Sequence, residues 1–268
     1  MFPMMHNFIC IVLLFGCSNS VVESARFLTS LASVASTCVD EMTVNSDGKS
    51  IGTNLEKRVI RLFDEAASLP LSLSREDGNI EVRTKFEGQL YMSFAEVKVV
   101  KNQPPNVFRG FLQNFNKHFS DATPMVKKTS HLEHDGNVRE GIKTFLAFPP
   151  PLSDRVMVHW KYLRLDRKKD EHLIILSEEG NEKLLENHLS KEERKKYVLA
   201  RTFLCAFWIK PAWNSNKNEI IGSNIKYVYS GDVGGSIPQQ IQRWIGPRTA
   251  LDSVKSVIVF GKKTATKE

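Results

Sequence analysis

Cysteine is scarce in this chain, and the spacing of the few cysteines excludes two common kinds of small domain. The 268 residues include only four Cys, too few for a disulfide-based scaffold of this length. No C-x-x-C pair or Cys/His spacing typical of a structural zinc site occurs. The sequence therefore predicts neither a disulfide framework nor a metal site.

Long apolar runs and biased tracts are also absent. No 18-residue apolar run occurs, so no ordinary membrane-spanning helix is predicted. Gly and Pro, at 15 and 11 residues, are near average, which excludes collagen-like and Pro-rich chains. No Gly-rich phosphate loop carries a Lys. The composition, 41% hydrophobic and 25% charged, is that of a globular protein.

The net charge of +7 restricts the possible partners without choosing one. A basic domain can bind nucleic acid, an anionic membrane surface or a negatively charged ligand. The basic residues are not interleaved with exposed aromatic residues, and no RNA-binding motif is present. These two observations disfavour nucleic acid as a partner.

The first 53 residues differ in composition from the rest. Residues 8–15 read FICIVLLF and are followed by the small residues Gly16, Cys17 and Ser18, which is typical of a signal peptide over residues 1–20. The preceding segment has no Lys or Arg, so a buried helix or an uncleaved anchor is the alternative. We expect a secreted or secretory-pathway protein, with a linker or targeting segment over 21–53.

Periodicity in the remainder predicts an α+β domain over 54–262, followed by a short tail at 263–268. A helix with period 3.6 is expected near 54–68 and a second near 104–119. Strands with period two are expected in the stretches between these helices and after them, up to residue 229. The polar stretch 180–196 within this region has helical potential instead. Segregated helices and runs of strands are typical of α+β folds.

The last predicted element is a long amphipathic helix. Ser236 and Gln239 have the spacing of a capping box, which places the N-cap at Ser236. An apolar stripe follows the predicted start of the helix and is interrupted at Gly246-Pro247. The stripe begins with Ile237, Ile241, Trp244 and Ile245.

Three stretches of the chain resemble motifs of the START domain, the lipid-binding module of the steroidogenic-acute-regulatory-related family. Residues 149–158, PPPLSDRVMV, are similar to its Pro-rich loop running into a strand. Residues 206–211, AFWIKP, are similar to its Gly-Trp-x-Ile-x-Pro strand end. Residues 229–238, YSGDVGGSIP, are similar to its turn into the last helix. Val156, Ala206 and Val233 depart from the usual residues and indicate a divergent member.

The resemblance implies a helix-grip fold, in which a long curved antiparallel sheet wraps around the C-terminal helix and leaves an internal lipid-sized cavity. It makes the C-terminal helix and the loop 149–154 the gate of that cavity. It also turns one face of the strand 155–163 inward, whereas the periodicity alone slightly favours the reverse. The residues expected to contact lipid are Arg155, Met157, His159, Lys161, Phe207, Trp208, Ile237, Ile241, Trp244 and Ile245.

Two charged clusters were candidates for other roles. Arg164, Arg167, Lys168 and Lys169 are either a solvated loop or a docking patch for anionic membranes, which we predict. His131 and His134 are three positions apart on a predicted strand and should face opposite sides, which disfavours a metal site.

The sequence therefore predicts a monomeric, non-enzymatic and cofactor-free carrier that transfers one lipid between membranes. A phosphatidylcholine-like glycerophospholipid is the first choice, with sterol or ceramide as rivals. Two alternatives remain open. One is a helix-grip enzyme of the cyclase or hydrolase type acting on a hydrophobic small molecule, in which His159 pairs with Glu140 or Lys161. The other is a lipid-sensing module that acts through a partner protein.

Overall fold

The first described element is an amphipathic helix, α1 (Lys49–Ala67), which begins five residues earlier than predicted. The computed structural model describes residues 49–74, 79–87, 90–135 and 139–265. The predicted signal peptide and almost all of the predicted linker lie outside these residues. The apolar positions of α1 recur at helical spacing and are buried, including Leu55, Val59 and Leu62. Pro70 follows the helix, as expected after a helix end.

Ten strands form one sheet, in the order β1-β2-β3-β10-β9-β7-β6-β5-β4, with β8 added beside β6. All neighbours in that order pair antiparallel, and only β8 pairs parallel. The strands are β1 (Leu71–Ser74), β2 (Ile80–Glu87), β3 (Leu90–Lys101), β4 (Val126–Asp135), β5 (Arg139–Leu146), β6 (Arg155–Asp166), β7 (Glu171–Ser177), β8 (Val198–Leu199), β9 (Arg201–Trp213) and β10 (Ile220–Asp232).

The remaining helices lie in three places along the chain. The predicted second helix is three short pieces, because it changes geometry after Phe108 and breaks at Asn114. The predicted helical stretch at 180–196 is two helices, and the second has a complete capping box at Ser190 and Glu193. The elements are a 3₁₀ helix (Pro105–Phe108), α2 (Arg109–Gln113), α3 (Phe115–Ala122), α4 (Glu182–His188), α5 (Lys191–Lys196) and the long α6 (Gln239–Ala265).

The two faces of the sheet carry different helices. The inner face packs against α6, which contacts β2, β3 and β10, and against the short helices at 105–122. The outer face carries α1, whose Phe63 ring lies 5.6 Å from that of Trp208. Phe207, the preceding residue, is fully buried and contacts Tyr227 on the inner face. The alternation of neighbouring side chains thus separates two apolar layers. This arrangement confirms the predicted α+β helix-grip fold.

Two local predictions were wrong. The helix α6 begins at Gln239, so Ser236 is not its N-cap, and the carbonyl of Pro238 accepts the amides of Ile241 and Gln242. The rings of His131 and His134 lie 4.5 Å apart instead of on opposite faces. A register shift between these two residues inserts a bulge, which changes the side-chain alternation.

Among the described ranges, no helix combines the length and apolar character needed to cross a bilayer.

Candidate functional site: an internal cavity

A cavity of about 930 Å³, counted with the open space at its entrance, lies between α6, α3 and the inner face of the sheet. The wall includes the ends of β5 and β10 and the beginnings of β6 and β9, so the cavity lies at one end of the sheet. We call this the cavity end. Its lining includes Phe86, Tyr91, Phe115, Phe119, Met157, His159, Cys205, Tyr227, Tyr229, Ile237, Gln242, Ile245 and Thr249.

Aromatic rings build much of the wall. Phe86 and Tyr91, which face each other across the β2–β3 hairpin, stack with ring centroids 4.4 Å apart. Phe115 and Phe119, one turn apart on α3, stack at 4.7 Å. The hydroxyl of Tyr91 donates to the carbonyl of Gly246 at 2.6 Å and so ties the hairpin to α6. The resulting surface is rigid and apolar, which suits a hydrocarbon ligand.

The face of β6 that carries Met157 and His159 is turned toward the cavity, as the resemblance implied. Met157 and His159 line the wall. The opposite face, with Val158 and Trp160, packs against Leu184 of α4. Periodicity favoured the reverse because the helices α4 and α5 that cover the apolar face are short and polar in sequence. The sequence therefore gave little sign that this face is covered.

His159 is the most unusual polar residue of the wall. Its side chain is buried, with 2% exposure, and neither ring nitrogen has a hydrogen-bond partner among the described residues. Burial lowers the pKa of this imidazole to about 4. The ring is therefore neutral at pH 7 and presents one donor and one acceptor. Buried polar groups are normally satisfied, so an unpartnered imidazole in a cavity wall is suited to bind a polar group of a ligand.

Two threonine hydroxyls in the wall are also free to bind a polar group of a ligand. The Oγ1 atoms of Thr123 and Thr202 are buried and have no partner within the described part of the chain. Both residues line the cavity. The tyrosine hydroxyls differ, because that of Tyr229 already donates to the carbonyl of Arg201 at 3.2 Å. The free hydrogen-bonding capacity of the wall thus comes from neutral groups.

No Asp, Glu, Lys or Arg side chain belongs to the described lining. Lys161 and Glu140, which the sequence offered as partners of His159, form a close ion pair with each other across β6 and β5. Glu140 also accepts from Asn116 at 2.7 Å and contacts His131 at 3.0 Å. Burial raises the pKa of Glu140, but Lys161 above all, with Asn116 and His131, more than offsets this and holds it below its ordinary value. Glu140 is therefore bound to Lys161 and not to His159, contrary to the acid–base pair considered for an enzyme.

Arg155 joins two loops instead of lining the cavity. Its buried guanidinium donates to the carbonyls of Ser153, Val233 and Gly234, the last two at 3.2 Å. The loop 149–154 and the turn before α6 are thereby held together at the cavity end. Arg155 stacks over Phe148 at 4.4 Å, and Phe148 does line the cavity.

Of the ten residues predicted to contact lipid, four line the wall: Met157, His159, Ile237 and Ile245. The cavity position predicted for the other six is not observed. Phe207 lies behind Phe115 and Phe119. Trp208 is on the outer face, where its Nε1 donates to Glu171 at 2.6 Å. On α6, Ile241 is half-buried outside the lining and Trp244 is exposed, whereas Gln242, Ile245 and Thr249 line the wall.

The predicted docking patch lies at the opposite end of the sheet, which we call the far end. Arg164 contacts Glu56 at 3.1 Å and Glu171 at 3.2 Å, so its charge is already paired. Arg167, Lys168 and Lys169 are exposed in the turn between β6 and β7. The β6 strand begins at the cavity end and ends at this turn, so these bases cannot contact a membrane that faces the cavity.

Several lining residues were not predicted, although the two-residue alternation of the strands indicates some of them. Tyr227 and Tyr229 alternate on β10, and Cys205 lies two positions before Phe207 on β9. On α6 the lining positions Gln242, Thr249 and Ser253 are polar, so a search for apolar stripes passes over them.

Comparison with known proteins confirms the fold. No family model and no curated protein matches the sequence significantly. Human STARD10 superimposes with a TM-score of 0.60 at 13% identity, covering 84% of this chain and 83% of that one. Human StAR-related lipid transfer protein 5 gives 0.61 at 11%, covering 81% and 98%. A STAR-related lipid transfer protein fragment from Xanthomonas axonopodis gives 0.52 at 15%, covering 72% and 98%. The chain thus has a START-like fold, as its motifs implied.

Proposed function

We propose, on the basis of the START-like fold and its cavity, that this protein binds one lipid and transfers it between membranes. The observation that carries the proposal is the apolar, uncharged wall with unpartnered polar groups at His159, Thr123 and Thr202. Two of the solved structures with this fold are described as lipid transfer proteins or domains, human StAR-related lipid transfer protein 5 and the human StarD13 domain. Burial of acyl or ring carbons would supply the affinity, at about 0.8 kcal/mol per CH₂.

The chemistry of the cavity wall favours some lipid headgroups over others. A phosphatidylcholine-like ligand was the first choice from the sequence, but its phosphate would need a charged or strongly donating partner when buried. The described lining has no cationic side chain, and the guanidinium of Arg155 is bound to three carbonyls. Neutral His159 can pair with a hydroxyl as donor or acceptor. A lipid with an uncharged hydroxyl headgroup, of the sterol or ceramide class, is therefore the better-supported candidate.

Lipid exchange requires contact between the cavity end and a bilayer. Trp244 is 52% exposed there, with the guanidinium of Arg248 4.5 Å above its ring, and Arg243 is exposed beside it. A Trp flanked by bases is typical of surfaces that lie in the headgroup region of a membrane. These residues of α6 take the docking role in exchange that the sequence analysis gave to the Arg164–Lys169 cluster.

The carrier makes and breaks no bonds in this proposal. His159 lacks the carboxylate partner that a general base of this kind usually has, because Glu140 is bound to Lys161. Its low pKa also makes it a weak base near pH 7.

A transfer assay tests the proposal. The purified full chain should move a fluorescent sterol or ceramide between vesicles without ATP or added metal, and faster than it moves a fluorescent phosphatidylcholine. Anionic acceptor vesicles should increase the rate, and Arg243→Gln with Arg248→Gln should reduce that increase. Failure to transfer any of the three lipids would contradict the proposal. Preference for phosphatidylcholine would contradict only the assignment of the headgroup.

A further inference from the structure

Two of the four tryptophans are exposed, and they lie at opposite ends of the sheet. Trp244 is at the cavity end. Trp213, 47% exposed, ends β9 and begins the turn into β10 at the far end. The 12 residues of β6 span the distance between the two ends, on the order of 35 Å at the usual rise per strand residue. No role in lipid binding accounts for an exposed Trp so far from the cavity.

The turn between β6 and β7 directs its acids inward and its bases outward. The carboxylate of Asp166 accepts the backbone amides of Lys168 and Lys169, both at 3.0 Å. Asp170, in the left-handed region with φ 48°, binds Arg109 at 2.9 Å. Arg167, Lys168 and Lys169 are exposed, and their side chains form no ion pair within the described ranges. The turn is therefore well ordered by its own hydrogen bonds and cationic on its outer side.

The neighbouring β9–β10 turn extends this surface. His172 at the start of β7 pairs with Ile209, and β9 continues four residues further to Trp213. The turn is held by a 2.7 Å bond between the side chains of Asn214 and Asn218. Lys217, with φ 54°, is exposed at its tip. Lys101 on the adjacent β3 is also exposed, and Glu219 is the one exposed acid of this turn.

We propose that the far end, formed by Arg167, Lys168, Lys169, Trp213 and Lys217, docks on an anionic bilayer. Exposed bases are attracted to anionic headgroups. A Trp beside them places an amphipathic ring at headgroup depth. The ordered turns present both features at the same end of the molecule. Asp170 is paired with Arg109, and the other acids of the two turns, Asp166 and Glu219, are outnumbered by the bases Arg167, Lys168, Lys169 and Lys217, so this end keeps a net positive charge.

This docking leaves the cavity end facing away from the membrane. A molecule held by its far end can present Trp244 and the cavity entrance to a second bilayer, so one chain can bridge two membranes. The far-end contact goes beyond the proposed function, because it involves no residue of the cavity. Only the bridging step rests on the proposed function, since it needs the cavity end to engage a membrane as well.

The test uses the full chain and vesicles of phosphatidylcholine with or without phosphatidylserine. The far-end variant is Arg167→Glu/Lys168→Glu/Lys169→Glu. Its matched control, Arg61→Glu/Lys117→Glu/Lys183→Glu, makes the same change of net charge at exposed bases on α1, α3 and α4. Each base near an anionic surface contributes roughly fivefold to binding. The far-end variant should therefore bind serine-containing vesicles at the far end roughly 100-fold more weakly and should no longer cluster them, while the control binds and clusters like the wild type.

A second readout reports which end touches the lipid. Quencher-labelled lipids should quench Trp fluorescence less in Trp213→Phe than in the wild type when vesicles are anionic. Equal clustering by wild type and far-end variant, unchanged quenching in Trp213→Phe, or equal losses in the far-end variant and control would each overturn the proposal. Lipid retention is measured on the same proteins, so a failure of the cavity to bind lipid is distinguished from a failure of docking.

Discussion

At the scale of single residues, the unusual feature is a neutral imidazole that is buried without a hydrogen-bond partner in the described part of the chain. His159 lies on the same face of β6 as Met157 and Lys161, yet only Lys161 has a counter-charge. Burial lowers the pKa of His159 to about 4, whereas an unfolded His titrates near 6.5. Between about pH 6.5 and pH 4 the unfolded chain therefore binds a proton at this residue that the folded chain does not.

Acid should accordingly destabilise the fold through His159. The contribution of this residue is fully present above pH 6.5 and is lost as the pH falls toward 4, by roughly 3 kcal/mol for a difference of this size. Chemical denaturation at several pH values should show a shallower fall for His159→Leu over pH 6.5 to 4 than for the wild type. Parallel curves for the two proteins would contradict the assigned titration.

The Lys161–Glu140 pair is the second feature at this scale. Lys161 is 5% exposed and its ammonium is bound by Glu140. Removing one partner of a buried pair leaves an uncompensated charge, which costs about 3–5 kcal/mol. We expect Lys161→Met to lower the free energy of unfolding by that amount, and Lys161→Met/Glu140→Gln to recover much of it. The measurement is a double-mutant cycle by chemical denaturation, and additive effects of the two changes would contradict the pairing.

At the scale of elements, the phase of α6 decides which of its residues face the cavity. The helix begins at Gln239, and Ile245 lines the wall while Trp244 projects outward. Pro247 lies inside the helix and cannot donate a backbone hydrogen bond. The hydroxyl of Tyr91 binds the carbonyl of Gly246 at this point and fixes the helix to the β2–β3 hairpin.

Adjacent substitutions on α6 should therefore have different effects. Ile245→Gln places an amide in the apolar wall, at a cost of about 1–3 kcal/mol if it is left unpaired, and should reduce the lipid that copurifies. Trp244→Gln changes the neighbouring residue outside the cavity and should leave the amount of bound lipid unchanged. Mass spectrometry of solvent extracts measures both, with circular dichroism as the check of folding. Equal losses in the two variants would contradict the assigned face.

The sequence predicted the order of the helices and long strands because their periodicity is clear. The short elements were harder: β1 and β8 have too few residues for a period to show. The phase of α6 was missed because its cavity face is partly polar. Phe207 and Trp208 were both assigned to the cavity, although consecutive strand residues face opposite sides and only Phe207 is on the inner face.

The position of the basic cluster relative to the cavity could not be predicted from the sequence. The sequence identified Arg164 and Arg167–Lys169 as one basic cluster, but its place in the molecule depends on which end of β6 meets the cavity. Arg164 is paired with Glu56, which is distant in sequence. Such long-range pairs are not visible in local composition. The bases themselves were predicted, and their position relative to the cavity was not.

At the scale of the whole molecule, a sheet with helices on both faces encloses a cavity at one of its ends. The other end has ordered turns with exposed bases and an exposed Trp. We therefore propose that one end of the molecule binds lipid and the other docks on a membrane. The central claim is that the cavity retains a lipid, since docking without cargo would not make the protein a carrier.

The most direct measurement is the identity and amount of lipid bound to the purified full chain. Protein extracted with organic solvent and analysed by mass spectrometry should yield roughly one lipid per chain, because an empty apolar cavity is costly. The account predicts an uncharged lipid with a hydroxyl headgroup, present in wild type and Trp244→Gln and depleted in Ile245→Gln. A folded wild type that yields no lipid, and takes up none from vesicles, would contradict it.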